Sequence, residues 1–148
     1  LDGGRSKIGL ESTIISLVGK PRILRLGGIE RTKINKVLNK NIKYDRINKK
    51  ITVPGQSKLH YSPGIPIKLN TTKAKPNEAF ILIKKRKKSS INYYYLSKNK
   101  NLKQAAKNLY KTLRKIKNKN YKSIVVEKIP NTGFGEVIND RLIRAAVK

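Results

Sequence analysis

Ser12 and Thr13 are adjacent hydroxyls following Gly9-Leu10-Glu11, with Asp2-Gly3-Gly4 a few residues upstream. Glycines at such turns let backbone N–H groups approach an anion, and hydroxyls at the start of a strand hydrogen-bond a carboxylate or phosphate. The same residues also serve as plain turns with locally satisfied hydroxyls. A second cluster is Pro21-Arg22-Ile23-Leu24-Arg25-Leu26-Gly27-Gly28. Arg22 and Arg25 are three apart, so on a strand they point to opposite faces, and one of them faces inward toward a ligand or carboxylate. A guanidinium offers fork donors matched to phosphate and never deprotonates. An ordinary ion pair competes with that reading, although acidic partners are few. The third cluster is Pro54-Gly55-Gln56-Ser57-Lys58-Leu59-His60-Tyr61-Ser62-Pro63-Gly64, which holds the only histidine beside a tyrosine. Linkers default to Gly, Ser and charge, so a stiff segment carrying polar aromatic groups reads as one that folds over a site. Packing of Tyr61 with a solvated His60 is the plainer alternative.

These residues need elements to hold them. Short apolar runs at Ile8 to Leu10, Thr13 to Val18 and Ile23 to Leu26 are cut by Gly and Pro, which predicts buried strands. Ile34, Val37 and Leu38 share one face of a short helix over Thr32 to Asn39. Residues 39–64 then lose periodicity, apart from Ile51 to Val53, and read as a linker. Beyond Ile65 the pattern predicts strands Ile65 to Leu69, Ala79 to Ile83 and Ile91 to Leu96, helix Leu102 to Ile116, strand Ser123 to Ile129 and helix Gly135 to Val147. The β-branched run Ile124-Val125-Val126 fits an interior parallel strand. Along the last helix Ile138, Leu142, Ala145 and Ala146 form the apolar face, leaving Asp140, Arg141 and Arg144 toward solvent or a neighbour. Lys84-Lys85-Arg86-Lys87-Lys88 lies between two strands and reads as a solvated hairpin loop. Gly133-Phe134-Gly135 before the last helix is placed where an anion could bind, though a lone Gly-x-Gly is more often a turn.

Composition narrows the chemistry. The 148 residues hold no Cys and one His, which removes disulfides, thiolate nucleophiles and an all-protein zinc site. No apolar run approaches bilayer length, so no membrane association is expected and the chain reads as soluble and cytoplasmic. The net charge of +28 points first to a polyanion. Lys, Ile and Asn together make 60 of the 148 residues, however, and all three are spelled by A- and T-rich codons, so a lysine-rich background accounts for much of it. Leu1 opens inside what reads as a strand and Met is absent, so the sequence reads as a piece that has lost its beginning.

Taken in order, these elements resemble the long, two-domain form of the L-threonylcarbamoyladenylate synthase family. Leu1-Asp2-Gly3-Gly4, Gly9-x-Glu11-Ser12-Thr13 and Ile23-Leu24-Arg25-x-Gly27-Gly28-Ile29 resemble the end of a YrdC-type domain, and Pro54-Gly55 with His60-Tyr61-x-Pro63 resembles the interdomain linker. Ala105-Ala106-Lys107-Asn108-Leu109-Tyr110, Gly133-Phe134-Gly135 and Asn139-Asp140-Arg141-Leu142-x-Arg144-Ala145-Ala146 resemble the C-terminal domain. Leu26 stands where the family usually has proline, Ser62 where alanine is usual, and Gln56 to Leu59 depart from the common linker spelling.

The resemblance implies an α/β fold in three parts: the edge of a YrdC-like domain at 1–40, an extended linker at 41–64 and a small Rossmann-like domain at 65–148. It implies an enzyme joining L-threonine, bicarbonate and ATP into threonylcarbamoyl-adenylate with release of pyrophosphate. A separate tRNA transferase then moves the group to the adenosine beside the anticodon, so contact with tRNA or double-stranded RNA is implied only indirectly. By position, Ser12 and Thr13 would bind threonine, Arg25 would bind ATP, and His60 or Tyr61 would touch the nucleotide. Magnesium is expected on the ATP phosphates, with no evident carboxylate ligand in the chain. The basic nucleotide pocket would lie upstream, so these residues alone are expected to be inactive. A small basic RNA-binding or ribosome-associated module without catalysis is the alternative.

Overall fold

The structure, a computed structural model, describes residues 8–44, 51–57 and 61–146. A small sheet comes first: β1 (Ile14–Ser16) pairs antiparallel with β2 (Arg22–Arg25), which pairs in parallel with β3 (Lys43–Tyr44). Gly19 supplies the positive φ of 68° that turns β1 into β2. Helix α1 (Arg31–Leu38) lies between β2 and β3 and ends on Asn39 in the left-handed region, φ 47°. Two expectations change here. Ile8 to Leu10 forms no strand, and the span read as linker contributes β3, a two-residue strand too short to show a period.

The second sheet contains β4 (Ile67–Lys68), β5 (Glu78–Lys84), β6 (Tyr93–Ser97) and β7 (Ser123–Val126), in the order β4-β7-β5-β6 and parallel throughout. The chain composition follows from that order. Central strands β5 and β7 are apolar almost without alternation because both faces are covered, whereas the edge strands are short or tyrosine-rich. Helices α2 (Leu102–Lys117) and α3 (Phe134–Ala146) pack on the face of Ala79, Ile81, Ile124 and Val126. Phe80, Leu82 and Val125 occupy the other face, beneath Ala74, Tyr93 and Tyr95, with the Arg86 guanidinium 5.3 Å from the Phe80 ring. Because β5 and β6 run parallel, Lys84 to Lys88 is no hairpin. It begins a return along the whole length of β5, solvated as expected, with Arg86 paired to Glu127 at 3.2 Å.

Helix α2 starts on Asn101, whose side chain accepts from the Gln104 N–H at 2.9 Å, and carries Arg114, Lys115 and Lys117 in its last turn. Ala105, Ala106, Leu109, Leu113 and Ile116 are its buried stripe. Core residues of both halves form one cluster: Ile23, Leu26, Ile34 and Ile42 join the side chains of α2 and α3.

Glu78 ties three strands of the second sheet together. It accepts from the Lys75 backbone N–H at 3.0 Å, from Lys68 of β4 at 3.1 Å and from the Ser123 hydroxyl of β7 at 2.9 Å. Those donors, the backbone N–H foremost, favour the charged form and hold the carboxyl at about 2. A lowered carboxyl stabilises the fold above its ordinary value near 4.5, and that contribution disappears as pH falls toward about 2. Glu78→Gln is therefore expected to lower the urea midpoint at pH 7 and to converge on the parent near pH 2. An equal penalty at both pH values contradicts this assignment.

Candidate functional site

The segment Glu11-Ser12-Thr13 is stitched to Gly27-Gly28-Ile29. The Gly28 N–H donates to Glu11 O at 2.8 Å, the Thr13 hydroxyl donates to Ile29 O at 2.7 Å, and the Ile29 N–H donates back to Thr13 Oγ1 at 3.1 Å. Gly27 makes the seam possible, because a Cβ there would sit under 3.0 Å from backbone atoms of Glu11 and Ser12. Thr13 thus uses its hydroxyl within the seam, while the exposed Ser12 stands beyond it.

Arg25 faces Ser12. Its Nε donates to Ser12 O at 3.1 Å, Nη2 to Ser12 Oγ at 3.0 Å and Nη1 to Pro54 O at 3.1 Å. Arg22, on the other face of β2, is exposed. Among the described residues no carboxylate lies within ion-pair distance of Arg25, so its charge is fixed in direction yet not neutralised by the protein. Pro54 belongs to a turn that Gln56 holds. The Gln56 amide oxygen accepts from the Thr52 and Val53 N–H groups at 2.8 and 3.2 Å, and its Nε2 donates to Leu24 O on β2 at 2.9 Å. A departure from the common linker spelling therefore proves to be the pin between linker and strand.

Gly55 sits in the angle between Arg25 and Tyr61. A Cβ there would lie 2.6 Å from Tyr61 Oη and 3.3 Å from Arg25 Cδ, and its φ of 87° suits glycine. The Tyr61 ring stacks on Tyr110 of α2 at 5.4 Å between centroids, and the Arg141 guanidinium of α3 lies 4.8 Å from it. Burial, chiefly, raises Tyr61 to about 12. His60, Asp2, Gly3 and Gly4 lie outside the described residues.

Arg141 and Asp140 are 1% and 0% exposed, which settles the choice between solvent and neighbour in favour of the neighbour. Arg141 donates to Tyr110 Oη at 3.0 Å, Asp140 at 2.6 Å, Glu11 at 3.1 Å and Leu26 O at 2.7 Å. Tyr110 in turn donates to Glu11 at 3.2 Å. Burial works to raise the Glu11 carboxyl, but the Arg141 charge and the hydrogen bonds outweigh it, leaving Glu11 lowered. Arg144 donates to Asp140 at 3.2 Å and to the linker carbonyl Gln56 O at 2.5 Å. Tyr44 of β3 completes the group by donating to Asp140.

Glu136, Asp140, Arg141 and Arg144 form one polar stripe of α3, and every member touches the N-terminal half or the linker; Arg31 pairs with Glu136 at 2.6 Å. Gly133 is covered by the Glu30 carboxylate, so the anion beside the Gly-x-Gly turn is the chain's own. Gly135 allows α3 to approach the Pro130 carbonyl, where a Cβ would intrude. Glu11 and Tyr110 stand in the sequence only within longer motifs, and Arg141 stands both in a motif and on the polar side of the last helix. Their combined signal was the scarcity of acid: of eight acidic residues, Glu11, Glu30, Glu136 and Asp140 stand at this seam.

A groove of about 560 Å³ between β6 and α2 shares no lining residue with this site. Among the described residues there is no group of three or more His, Cys, Asp or Glu placed to hold a metal, and no helix long and apolar enough to cross a membrane.

Fold and site define an α/β protein in which the last helix of the parallel-sheet half holds the Ser12–Arg25 edge of the small sheet and the segment that crosses it. The family model described as "Threonylcarbamoyl-AMP synthase, C-terminal domain" matches residues 29–147, and the chain belongs to that family. It is 29% identical to the threonylcarbamoyl-AMP synthase of Bacillus subtilis and 27% identical to that of Pyrococcus abyssi, in each case over 99% of this chain and 48% of the relative. The chain therefore spans about half the length of these curated relatives. Its fold matches the P. abyssi Sua5 crystal structure complexed with L-threonine, with a TM-score of 0.80, 24% identity and coverage of 98% of this chain and 48% of that one. A P. abyssi Sua5 structure with an adjacent histidine and tyrosine both changed to alanine matches with a TM-score of 0.78, at 23% identity over 98% and 47% of the two chains.

Proposed function

We propose that the chain forms part of a synthase that makes L-threonylcarbamoyladenylate and pyrophosphate from L-threonine, bicarbonate and ATP, with the product passed to a tRNA threonylcarbamoyl transferase. The observation that carries this reading is Arg25, aimed by Ser12 and Pro54 and, among the described residues, without a carboxylate partner. Its unneutralised fork suits the phosphates of magnesium-bound ATP. Ser12 supplies the hydroxyl for threonine, and Thr13, spent on Ile29, holds Ser12 in place. The binding of L-threonine named for the P. abyssi structure supports that substrate class.

Tyr61 of the adjacent His60-Tyr61 pair approaches the Arg25 end of the site, with Gly55 between them, which favours a nucleotide contact for this segment. The chain is read as the edge of a catalytic domain over 1–40, a linker over 41–64 and a C-terminal domain over 65–148, although the family match already begins at residue 29. Chemically, these residues would orient threonine toward the nucleotide and balance phosphate charge, which is how such reactions gain rate without protein nucleophiles.

The test joins the chain to the part of the B. subtilis relative that it does not span. Pyrophosphate release from ATP should require threonine and bicarbonate together. Release that proceeds without threonine overturns the proposal.

A further inference from the structure

Tyr61 comes from the strap, yet two of its ring contacts come from the C-terminal domain. Tyr110 of α2 stacks against the ring at an interplanar angle of 23°, and the Arg141 guanidinium of α3 lies 4.8 Å from its centroid. Arg141 is itself buried and held on several sides. Its donors are taken up by Tyr110, Asp140, Glu11 and Leu26 O, so one buried cation touches α2, α3, the Ser12 segment and the exit of β2. Burying an arginine this way adds little net stability, because desolvation consumes most of the ion-pair attraction, and what the contacts do supply is fixed geometry. The geometry fixed here is the position of Tyr61 Oη against Gly55 and the Arg25 side chain. Arg144 fastens the same strap one turn along α3, at Gln56 O.

We infer that Arg141 is a positioning residue: with Tyr110 it clamps Tyr61 so that the strap stays seated across the Ser12–Arg25 edge, making the C-terminal domain the part that holds this site closed. The inference rests on the reading of Arg25 as a nucleotide contact only for its catalytic consequence; the clamp itself is tested without activity.

The chain contains no cysteine, so two can be introduced for spin labels, at Ser62 beside the clamped ring and at Val18 in the exposed turn after β1. The parent should give one narrow Ser62–Val18 distance distribution. Arg141→Lys, which keeps the charge and loses the planar fork, should broaden it at least twofold. Tyr61→Leu should do the same while keeping the ion pairs of Arg141 with Asp140 and Glu11. Ile138→Ala, a core truncation away from the clamp, serves as the control for lost stability and should stay narrow at a matched fraction folded.

A narrow distribution in Tyr61→Leu, or equal broadening in Ile138→Ala, overturns the clamp. In the joined protein that releases pyrophosphate, Arg141→Lys should raise KM for ATP about tenfold with a smaller change in kcat. A lower kcat at unchanged KM overturns the positioning role. Broadening in the labelled chain together with no threonine-dependent activity in the joined parent would leave the clamp standing and remove the synthase reading.

Discussion

Gly27→Ala is expected to cost about 3 kcal/mol of stability, the upper part of the range for overpacking a well-filled site. The added Cβ meets backbone, since it would fall under 3.0 Å from Glu11 O and from the carbonyl carbon of Ser12. Side chains at a crowded position swing aside, but here the strand segment itself must retreat. Retreat would pull on the Gly28 N–H to Glu11 O bond and on the paired Thr13–Ile29 bonds, and with them on Ser12 and its Arg25 partner. Urea denaturation measures the loss. A change below about 1 kcal/mol would show that the two segments are not in the close contact described.

Arg141→Met should cost more, about 3–5 kcal/mol, because it removes one partner from a buried charge network and leaves the other stranded. Among the described residues Asp140 would retain only Arg144 as a cation, and Glu11 would lose the cation that keeps it lowered against burial. Neutralising the stranded acids should recover part of the loss. The triple variant Arg141→Met, Asp140→Asn, Glu11→Gln is therefore expected to be more stable than Arg141→Met alone. If the triple variant is weaker still, the hydrogen-bond geometry dominates and the account of an uncompensated charge fails. Denaturation midpoints of the three proteins decide between these outcomes.

The helices and central strands were legible because burial imposes a period. Leu102 to Ile116 and Ile138 to Ala145 repeat at helical spacing, and Ile81 to Ile83 and Ile124 to Val126 are apolar on both faces. The direction of a return is not periodic, and a lysine run reads the same in a hairpin as in a parallel crossover, so the path after Lys84 was misjudged. Lys43-Tyr44 becomes a strand through pairing with β2 alone, with no apolar run to announce it. At the site, strand alternation correctly turned one of Arg22 and Arg25 inward. The clamp around Tyr61 was hidden because Glu11, Gln56, Tyr110 and Arg141 are separated by up to 130 residues and meet only in three dimensions. Polar residues on an apolar helix carry no address, and the sequence left Asp140 and Arg141 between solvent and neighbour for that reason.

The lysine-rich charge plays little part in this arrangement. Arginine dominates the seam: Arg25, Arg31, Arg141 and Arg144 make its fork contacts. Planar, permanently charged donors can bridge several acceptors at fixed angles, which a lysine ammonium on a flexible stem does not.

The central claim is that this chain's Ser12–Arg25 edge belongs to a site where threonine, bicarbonate and ATP are joined. Mass spectrometry of the adenylate product tests it most directly, using the chain joined to the unmatched part of the B. subtilis relative and supplied with ¹³C-bicarbonate. The account predicts an adenylate carrying both threonine and the labelled carbon, with its yield reduced at least tenfold by Arg25→Gln. A threonyl adenylate without the label, AMP alone, or a yield indifferent to Arg25 would contradict it.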